Sequence, residues 1–127
     1  MEGNPVTLSQ SEWSVMEALW NGPKTLMELV RELHSSVGWA KSTVTTMIRR
    51  MEGKGLVEYE SQGRAKLFRA AVSRQEVVAA ETESLLSRAY HGSVSLLMNT
   101  LAEQQQLSKE DIEALYAILQ KAEEDAT

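Results

Sequence analysis

The segment from Ser42 to Arg50 carries small hydroxyl side chains and two arginines at positions that share one side of a helix. At about 100° of rotation per residue, the apolar residues fall on the opposite side; they are Val44, Met47, Ile48 and Met51. Because threonine is a poor helix former, a face this rich in hydroxyls indicates a purpose other than packing. Short side chains let a helix approach the floor of the DNA major groove, where Ser, Thr and Arg bond base edges or phosphates.

The predicted DNA contacts extend from this helix into the basic segment that follows it. Lysines at the two helix ends can meet the phosphate backbone, and arginine offers a fork to guanine or to a phosphate. The predicted set is Lys41, Ser42, Thr43, Thr45, Thr46, Arg49, Arg50 and Lys54, with Arg64 and Lys66 from the following segment. For the helix alone, a merely solvated polar face is an equal alternative. The basic residues that follow favour DNA, because each can neutralise a phosphate.

The acidic net charge of -5 hides an uneven distribution along the chain. Residues 39–74 hold eight basic and three acidic side chains, a net +5, whereas residues 1–38 carry -3 and residues 75–127 carry -7. Since charges are screened over about 8 Å at physiological salt, a local basic patch matters more to a polyanion than the total charge does. The charge distribution therefore favours DNA binding by the middle of the chain.

Three helices are predicted to position that segment. S/T-x-x-E capping boxes at Ser9 and Thr25 open the first two helices. The second helix is expected to end in the segment 35–38, where "SSVG" lies. The third helix, which carries the hydroxyl face, is expected from about 40 to 52 and ends at a "GKG" sequence.

A two-stranded hairpin is predicted after the third helix. Residues 56–60 alternate as a strand does, residues 61–64 form a polar turn, and residues 65–72 make a second strand. Three helices followed by a hairpin is the order of a winged helix, a variant of the helix-turn-helix. We therefore predict a winged helix-turn-helix DNA-binding domain over residues 1–72.

Three further helices are predicted over residues 73–127, so the fold class is mainly α with a small β-hairpin. Their caps are Ser73, Ser93 and Ser108, and the acidic tail 123–127 is expected to fray. About 50 residues in short helices cannot easily bury their apolar stripes alone. The stripes either fold back on the first domain or, as we predict, pair with a second copy in a homodimer. The predicted dimerisation residues are Val77, Leu85, Leu97, Leu101, Ile112, Leu115 and Leu119.

Three stretches of the chain resemble the BlaI/MecI penicillinase-repressor family. They are "LSQSEWSVMEALW" in the first helix, "STVTTMIRRMEGKGLVEYE" in the third helix and strand, and "LSKEDIEALYAIL" in the last helix. The resemblance covers nearly the whole chain. It implies a homodimeric winged-helix repressor that binds an inverted-repeat operator and silences resistance genes for a β-lactamase or a penicillin-binding protein.

The same resemblance implies how repression is relieved. In that family a membrane sensor-protease system leads to a cut in the dimerisation helices, and the corresponding bond here is near Thr100–Leu101, beside Asn99. Proteolytic inactivation, and regulation of the protein's own gene, are therefore expectations that follow from the family.

Several classes of function are disfavoured by what the sequence lacks. There is no cysteine, no apolar run of the roughly 18 residues that a membrane span needs, and no secretory signal, so a cytoplasmic protein without direct membrane insertion is expected. Two histidines do not make a metal site, and we expect no cofactor. We find no catalytic motif, so an enzyme is not expected. Two alternatives stay open: a ligand-responsive winged-helix regulator, and a winged-helix protein-interaction module that does not bind DNA.

Overall fold

The structure, a computed structural model, describes residues 7–126. Its elements follow the predicted order of three helices, a hairpin and three further helices, with one short strand added. They are α1 (Gln10–Trp20), β1 (Lys24–Thr25), α2 (Leu26–Val37), α3 (Lys41–Gly53), β2 (Val57–Gln62), β3 (Ala65–Ala70), α4 (Arg74–Tyr90), α5 (Val94–Glu103) and α6 (Lys109–Asp125). The predicted fold class, mainly α with a small β-element, is confirmed.

Capping boxes start α1 and α2 as the sequence indicates. At α1 the Ser9 backbone N–H donates to Glu12 Oε1 over 2.9 Å, while the Glu12 N–H donates to Ser9 Oγ over 3.2 Å. Thr25 and Glu28 repeat the arrangement at α2. The end of α2 falls within the predicted segment 35–38, since the helix runs through Val37. It stops at Gly38, whose φ of 75° is the left-handed cap that favours glycine.

The sheet has three strands, not the predicted two. β3 lies between β2 and β1, and all neighbours are antiparallel. Only Lys24 and Thr25 make up β1, which is too short for any periodicity in the sequence to indicate it. The predicted turn also narrows, since β2 runs to Gln62 and leaves a two-residue loop. Gly63 there adopts a φ of 63°, as tight hairpin loops require.

The core lies between α1, α2, α3 and the inner face of the sheet. Its fully buried side chains include Val15, Met16, Leu29, Leu33, Val44, Met51 and Val77. Burying each large aliphatic side chain contributes about 1.5–3 kcal/mol relative to exposure. Trp13 and Trp20 pack edge to face with their ring centroids 5.7 Å apart. This core holds the apolar side of α3 and leaves its polar side in solvent.

The chain divides into two compact units, of which the first ends at Thr82 and the second begins at Glu83. The division falls within α4, whose first turns belong to the first unit. There Glu81 Oε2 accepts hydrogen bonds from the Leu8 backbone N–H and from Trp13 Nε1. Val77, which the sequence analysis assigned to the dimerisation stripe, is fully buried in the core of this chain. That assignment is corrected, because a fully buried side chain offers nothing to a second copy.

The second unit contains the end of α4 with α5 and α6. Ser93 and Ser108 cap α5 and α6 as predicted, the latter in a reciprocal box with Asp111. α6 continues to Asp125, so the expected fraying of the tail is wrong up to that residue, and Thr127 lies outside the described residues. Between Glu83 and Ala126, no side chain is buried. Within residues 7–126, no helix has both the length and the apolar character needed to cross a membrane.

Candidate nucleic-acid interface

The polar side of α3 is open to solvent. Val44, Ile48 and Met51 are buried on the other side of the helix, which confirms the predicted division into an apolar and a polar side. The exposed residues of the polar side are Lys41, Ser42, Thr43, Thr46, Arg49 and Arg50. The face therefore presents hydroxyls and cations without large apolar groups, a surface suited to a polyanion with hydrogen-bonding edges.

Thr45 differs from the other hydroxyl residues of α3. It is half-buried, and its hydroxyl donates to the Lys41 carbonyl oxygen over 2.9 Å. Its proton is therefore used within the helix. Only its methyl group and the free lone pairs of its oxygen are left to face a ligand.

The turn before α3 is anchored by Trp39. Its backbone N–H donates to the Leu33 carbonyl over 3.3 Å, and its side chain packs against the core. His34 Nδ1 lies 3.2 Å from the Trp39 carbonyl oxygen. The backbone and the side chain of Trp39 therefore both fix the short connection between α2 and α3, and this connection helps to set the orientation of α3 relative to α2.

The wing, defined here as residues 57–70, has two faces of different charge. On its outer face Arg69 forms ion pairs with Glu58 (2.7 Å) and Glu60 (3.2 Å). The hydrogen bond and charge of Glu58 raise the pKa of Arg69. Arg69 is one of the eight basic residues counted in the segment 39–74, but its charge is neutralised by these two neighbours.

The inner face of the wing keeps its positive charge. The Lys66 ammonium lies 4.2 Å from the centroid of the Tyr59 ring, a cation–π contact that orients the side chain. Tyr59 in turn packs on the buried Phe68, with ring centroids 5.8 Å apart. The lysine is therefore held in place by a stack that begins in the core.

A groove of about 430 Å³ separates α3 from the wing. Arg49 enters it from α3, while Arg64 and Lys66 enter it from the wing. The lining residues that were not predicted as DNA contacts include Thr25, Leu26, Met27 and Glu52. Glu52 was detectable by spacing, since it follows Thr45 by seven residues and Arg49 by three. The residues at the start of α2 could not be predicted as part of the site, because only the folded structure brings them beside the wing.

A second, shallower depression lies on the other side of α3. It has a volume of about 260 Å³, and its lining residues are Ser42, Thr43, Thr46, Met47 and Arg50. Arg49 and Arg50, although adjacent in the chain, therefore open onto different surfaces of the same helix.

Lys54, predicted as a backbone contact, already has a partner within the chain. Its ammonium group forms an ion pair and hydrogen bond with Glu12, whose side chain is almost fully buried. Burial by itself raises the pKa of Glu12, but hydrogen bonds from Lys54 and Ser9 outweigh it and hold that pKa below its ordinary value. Lys54 is still 60% exposed, so its remaining N–H groups point to solvent.

The remaining predicted dimerisation residues lie on α4, α5 and α6. Ile112, Leu115 and Leu119 line an apolar depression of about 470 Å³ in the second unit. Leu101 lines a smaller depression in the same unit. Leu85 is exposed and Leu97 half-buried. Thr100 and Leu101, the two residues of the predicted cleavage site, lie inside α5. The Thr100 hydroxyl donates a hydrogen bond to the Leu96 carbonyl oxygen.

No metal centre competes with this interface among residues 7–126. Within that part of the chain, no group of three or more His, Cys, Asp or Glu side chains lies close enough to hold a metal ion. The clustered functional groups that the structure describes are the cations and hydroxyls of α3 and the wing.

Comparison with known proteins agrees with this geometry. The chain is 28% identical over 115 residues to the penicillinase repressor of Bacillus licheniformis, covering 90% of each chain. It is 23% identical over 122 residues to the methicillin resistance regulatory protein MecI of Staphylococcus aureus (strain N315), covering 95% of this chain and 99% of MecI. The solved structure of the DNA-binding domain of the repressor BlaI matches with a TM-score of 0.51 and 25% identity, over 60% of this chain and 93% of that domain.

A family model also matches most of the chain. A sequence model described as "Penicillinase repressor" matches residues 8–121, which include every element except the last residues of α6. The winged-helix fold is also that of the BlaI domain. The chain therefore belongs to the penicillinase repressor family, a family of DNA-binding transcriptional repressors rather than of enzymes.

Proposed function

We propose that this protein is a homodimeric repressor that binds an inverted-repeat operator through α3 and the wing. The observation that carries the proposal is the convergence of Arg49, Arg64 and Lys66 on one groove beside an exposed hydroxyl face. An α-helix fits the major groove, about 12 Å wide, and short side chains let it approach the bases. The wing then lies over the adjoining phosphate backbone.

A homodimer is proposed because the second unit cannot cover its own apolar surface. Tyr116, Ile118 and Leu119 on α6 are 71%, 61% and 62% exposed. All three line the apolar depression of this unit and form with it a surface that is unfavourable in water and that a two-fold copy of itself would cover. Two recognition helices related by a two-fold axis match an operator whose half-sites are inverted.

The regulated genes and the inducing event are proposed from the family. The relatives are named for penicillinase repression and methicillin resistance, so we propose that the chain represses a β-lactam-resistance or related stress operon, including its own gene. Cleavage near Thr100–Leu101, downstream of a membrane sensor-protease, is proposed as the release step. Because that bond lies within α5, a protease needs local unwinding of the helix.

Operator binding is tested by titrating the full-length protein against a duplex of the region upstream of its own gene, with a scrambled duplex as competitor. At two salt concentrations we expect saturable binding of one dimer per site, a preference of about a thousandfold or more over the scramble, and a marked loss at the higher salt. Equal and weak binding to both duplexes contradicts the proposal and supports a protein-interaction module instead.

A matched pair of variants tests whether the wing takes part. Lys66→Ala should weaken binding and lower the slope of log affinity against log salt by about 0.9 per protomer, since one phosphate contact is lost. Arg88→Ala removes the same charge from the second unit, where its guanidinium donates only to Ser84 among the bonds described. It should leave affinity and slope unchanged; equal losses for both variants would contradict a specific role for the wing.

A further inference from the structure

We propose that the two adjacent arginines of α3 have different functions: Arg49 holds a phosphate of the DNA backbone, and Arg50 contacts a base edge and determines sequence preference. The inference rests on the proposed function and deepens it, because it states which part of the DNA each side chain meets. It arises from the two surfaces described above, which lie on opposite sides of the polar face.

Arg49 belongs to the groove between α3 and the wing. Three cationic side chains enter that groove, and Leu26, Ile48 and Phe68 contribute to its apolar lining. The backbone of a DNA strand is complementary to such a groove, since its phosphates are anionic and its deoxyribose faces are largely apolar. The groove therefore fits the backbone of one strand, which passes between the helix in the major groove and the wing.

The Lys66 position supports a backbone strand in this groove. Tyr59 holds the ammonium group in place from the core side, which lowers the entropy lost when it meets a phosphate. Arg64, at the wing tip, has no ion pair among the described residues. Both cations thus face the same strand as Arg49.

Arg50 lies in different surroundings. The depression that it lines contains three hydroxyl residues and Met47, and it contains no other charged side chain. A guanidinium fork beside neutral hydroxyls, on the side of the helix turned away from the wing, suits the paired acceptors O6 and N7 of guanine. Ser42 and Thr46 flank it and supply shorter hydrogen-bonding groups toward neighbouring bases.

Rotation along the helix explains why neighbours divide in this way. Consecutive residues differ by about 100° around the axis, so two adjacent arginines cannot serve one surface equally. Both are exposed, and their replacement leaves the core of the first unit intact.

The test needs no known operator. The full-length protein, Arg49→Ala and Arg50→Ala each select binding sites from a duplex library with a randomised centre, and the selected consensus is then titrated at several salt concentrations. Arg49→Ala should select the same motif but bind it more weakly, with the salt slope lowered by about 0.9 per protomer. Arg50→Ala should lose a guanine preference at one position of each half-site, a discrimination of about tenfold in the parent protein.

A conservative variant separates charge from geometry. Arg49→Lys keeps a point charge, which suffices for a phosphate, so it should retain most of the affinity and the salt slope. If the parent protein selects a motif but Arg50→Ala keeps every preference, or Arg49→Ala loses one, the division of function is wrong. If the parent protein selects no motif, the proposed function itself fails and this inference fails with it.

Discussion

Lys54, the residue after α3, forms an ion pair with Glu12 in the first turn of α1, 42 positions earlier in the chain. The pair joins the end of the proposed recognition helix to the start of the helix behind it. Glu12 at the same time closes the capping box with Ser9, so one carboxylate serves two elements. The orientation of α3 thus depends on a contact that involves neither DNA nor the hydroxyl face.

Lys54→Ala should therefore lower stability. Without the ammonium group, an almost fully buried carboxylate loses a charged partner, and we expect a loss of about 1–2 kcal/mol in the free energy of unfolding. Urea denaturation measures it. Lys121→Ala removes an exposed i,i+4 pair with Asp125 and should cost less than about 0.5 kcal/mol. An unchanged stability in Lys54→Ala together with a lowered salt slope for DNA would show instead that the lysine is a backbone contact.

Stability should fall in acid because of the capping carboxylates. Hydrogen bonds from Thr25 and from Ser73 lower the pKa of Glu28 and of Glu76 respectively below the ordinary 4.5, and that of Glu12 is lowered as described above. A carboxyl whose folded pKa is lowered stabilises the fold above its unfolded pKa and ceases to do so as pH falls through the folded value.

The contribution of these three carboxylates to the free energy of unfolding should therefore be nearly constant between about pH 7 and 5. It should decline below about pH 4.5. Urea midpoints measured from pH 7 to pH 3 give the profile. Glu12→Gln should make the acid decline shallower, because Gln does not titrate. A stability that increases on acidification would contradict the assignment.

Glu52 should oppose DNA binding. Its carboxylate lines the same groove as Arg49 and Arg64, where a phosphate strand is proposed, and like charges repel most at low salt. Glu52→Gln should raise affinity severalfold for operator and scrambled duplexes alike, as measured by titration at two salt concentrations. Glu113→Gln, an exposed carboxylate of α6, is the control. A loss of affinity in Glu52→Gln would show that the carboxylate accepts a hydrogen bond from a base.

Leu119→Asp should disrupt the proposed dimer. A charge placed on the exposed apolar surface of α6 cannot be buried without a partner, so we expect a monomer by size-exclusion chromatography with light scattering. Operator affinity should fall with it, since one half-site alone remains bound. Gln120→Asp places the same charge one position further along α6 and should remain dimeric. A dimeric Leu119→Asp would locate the interface elsewhere.

Much of the local structure was predictable from the sequence. The caps at Ser9, Thr25 and Ser108 and the two sides of α3 depend on residues three to seven positions apart, and all are as predicted. One wrong detail was also local in origin: the tail is helical because α6 continues through its acidic residues to Asp125. The predicted DNA, dimerisation and cleavage residues, Val77 excepted, stay predictions.

What the sequence by itself determined about this protein is the order of its elements, the polar face of α3 and the positive charge of residues 39–74, because period and composition are properties of neighbouring residues. Tertiary structure alone decided which of those charges remain available. Arg69 and Lys66 lie on one strand, yet the first is neutralised by Glu58 and Glu60 and the second faces the groove. Strand pairing and the contact between Lys54 and Glu12 join residues far apart in the chain, so only the folded molecule brings them together.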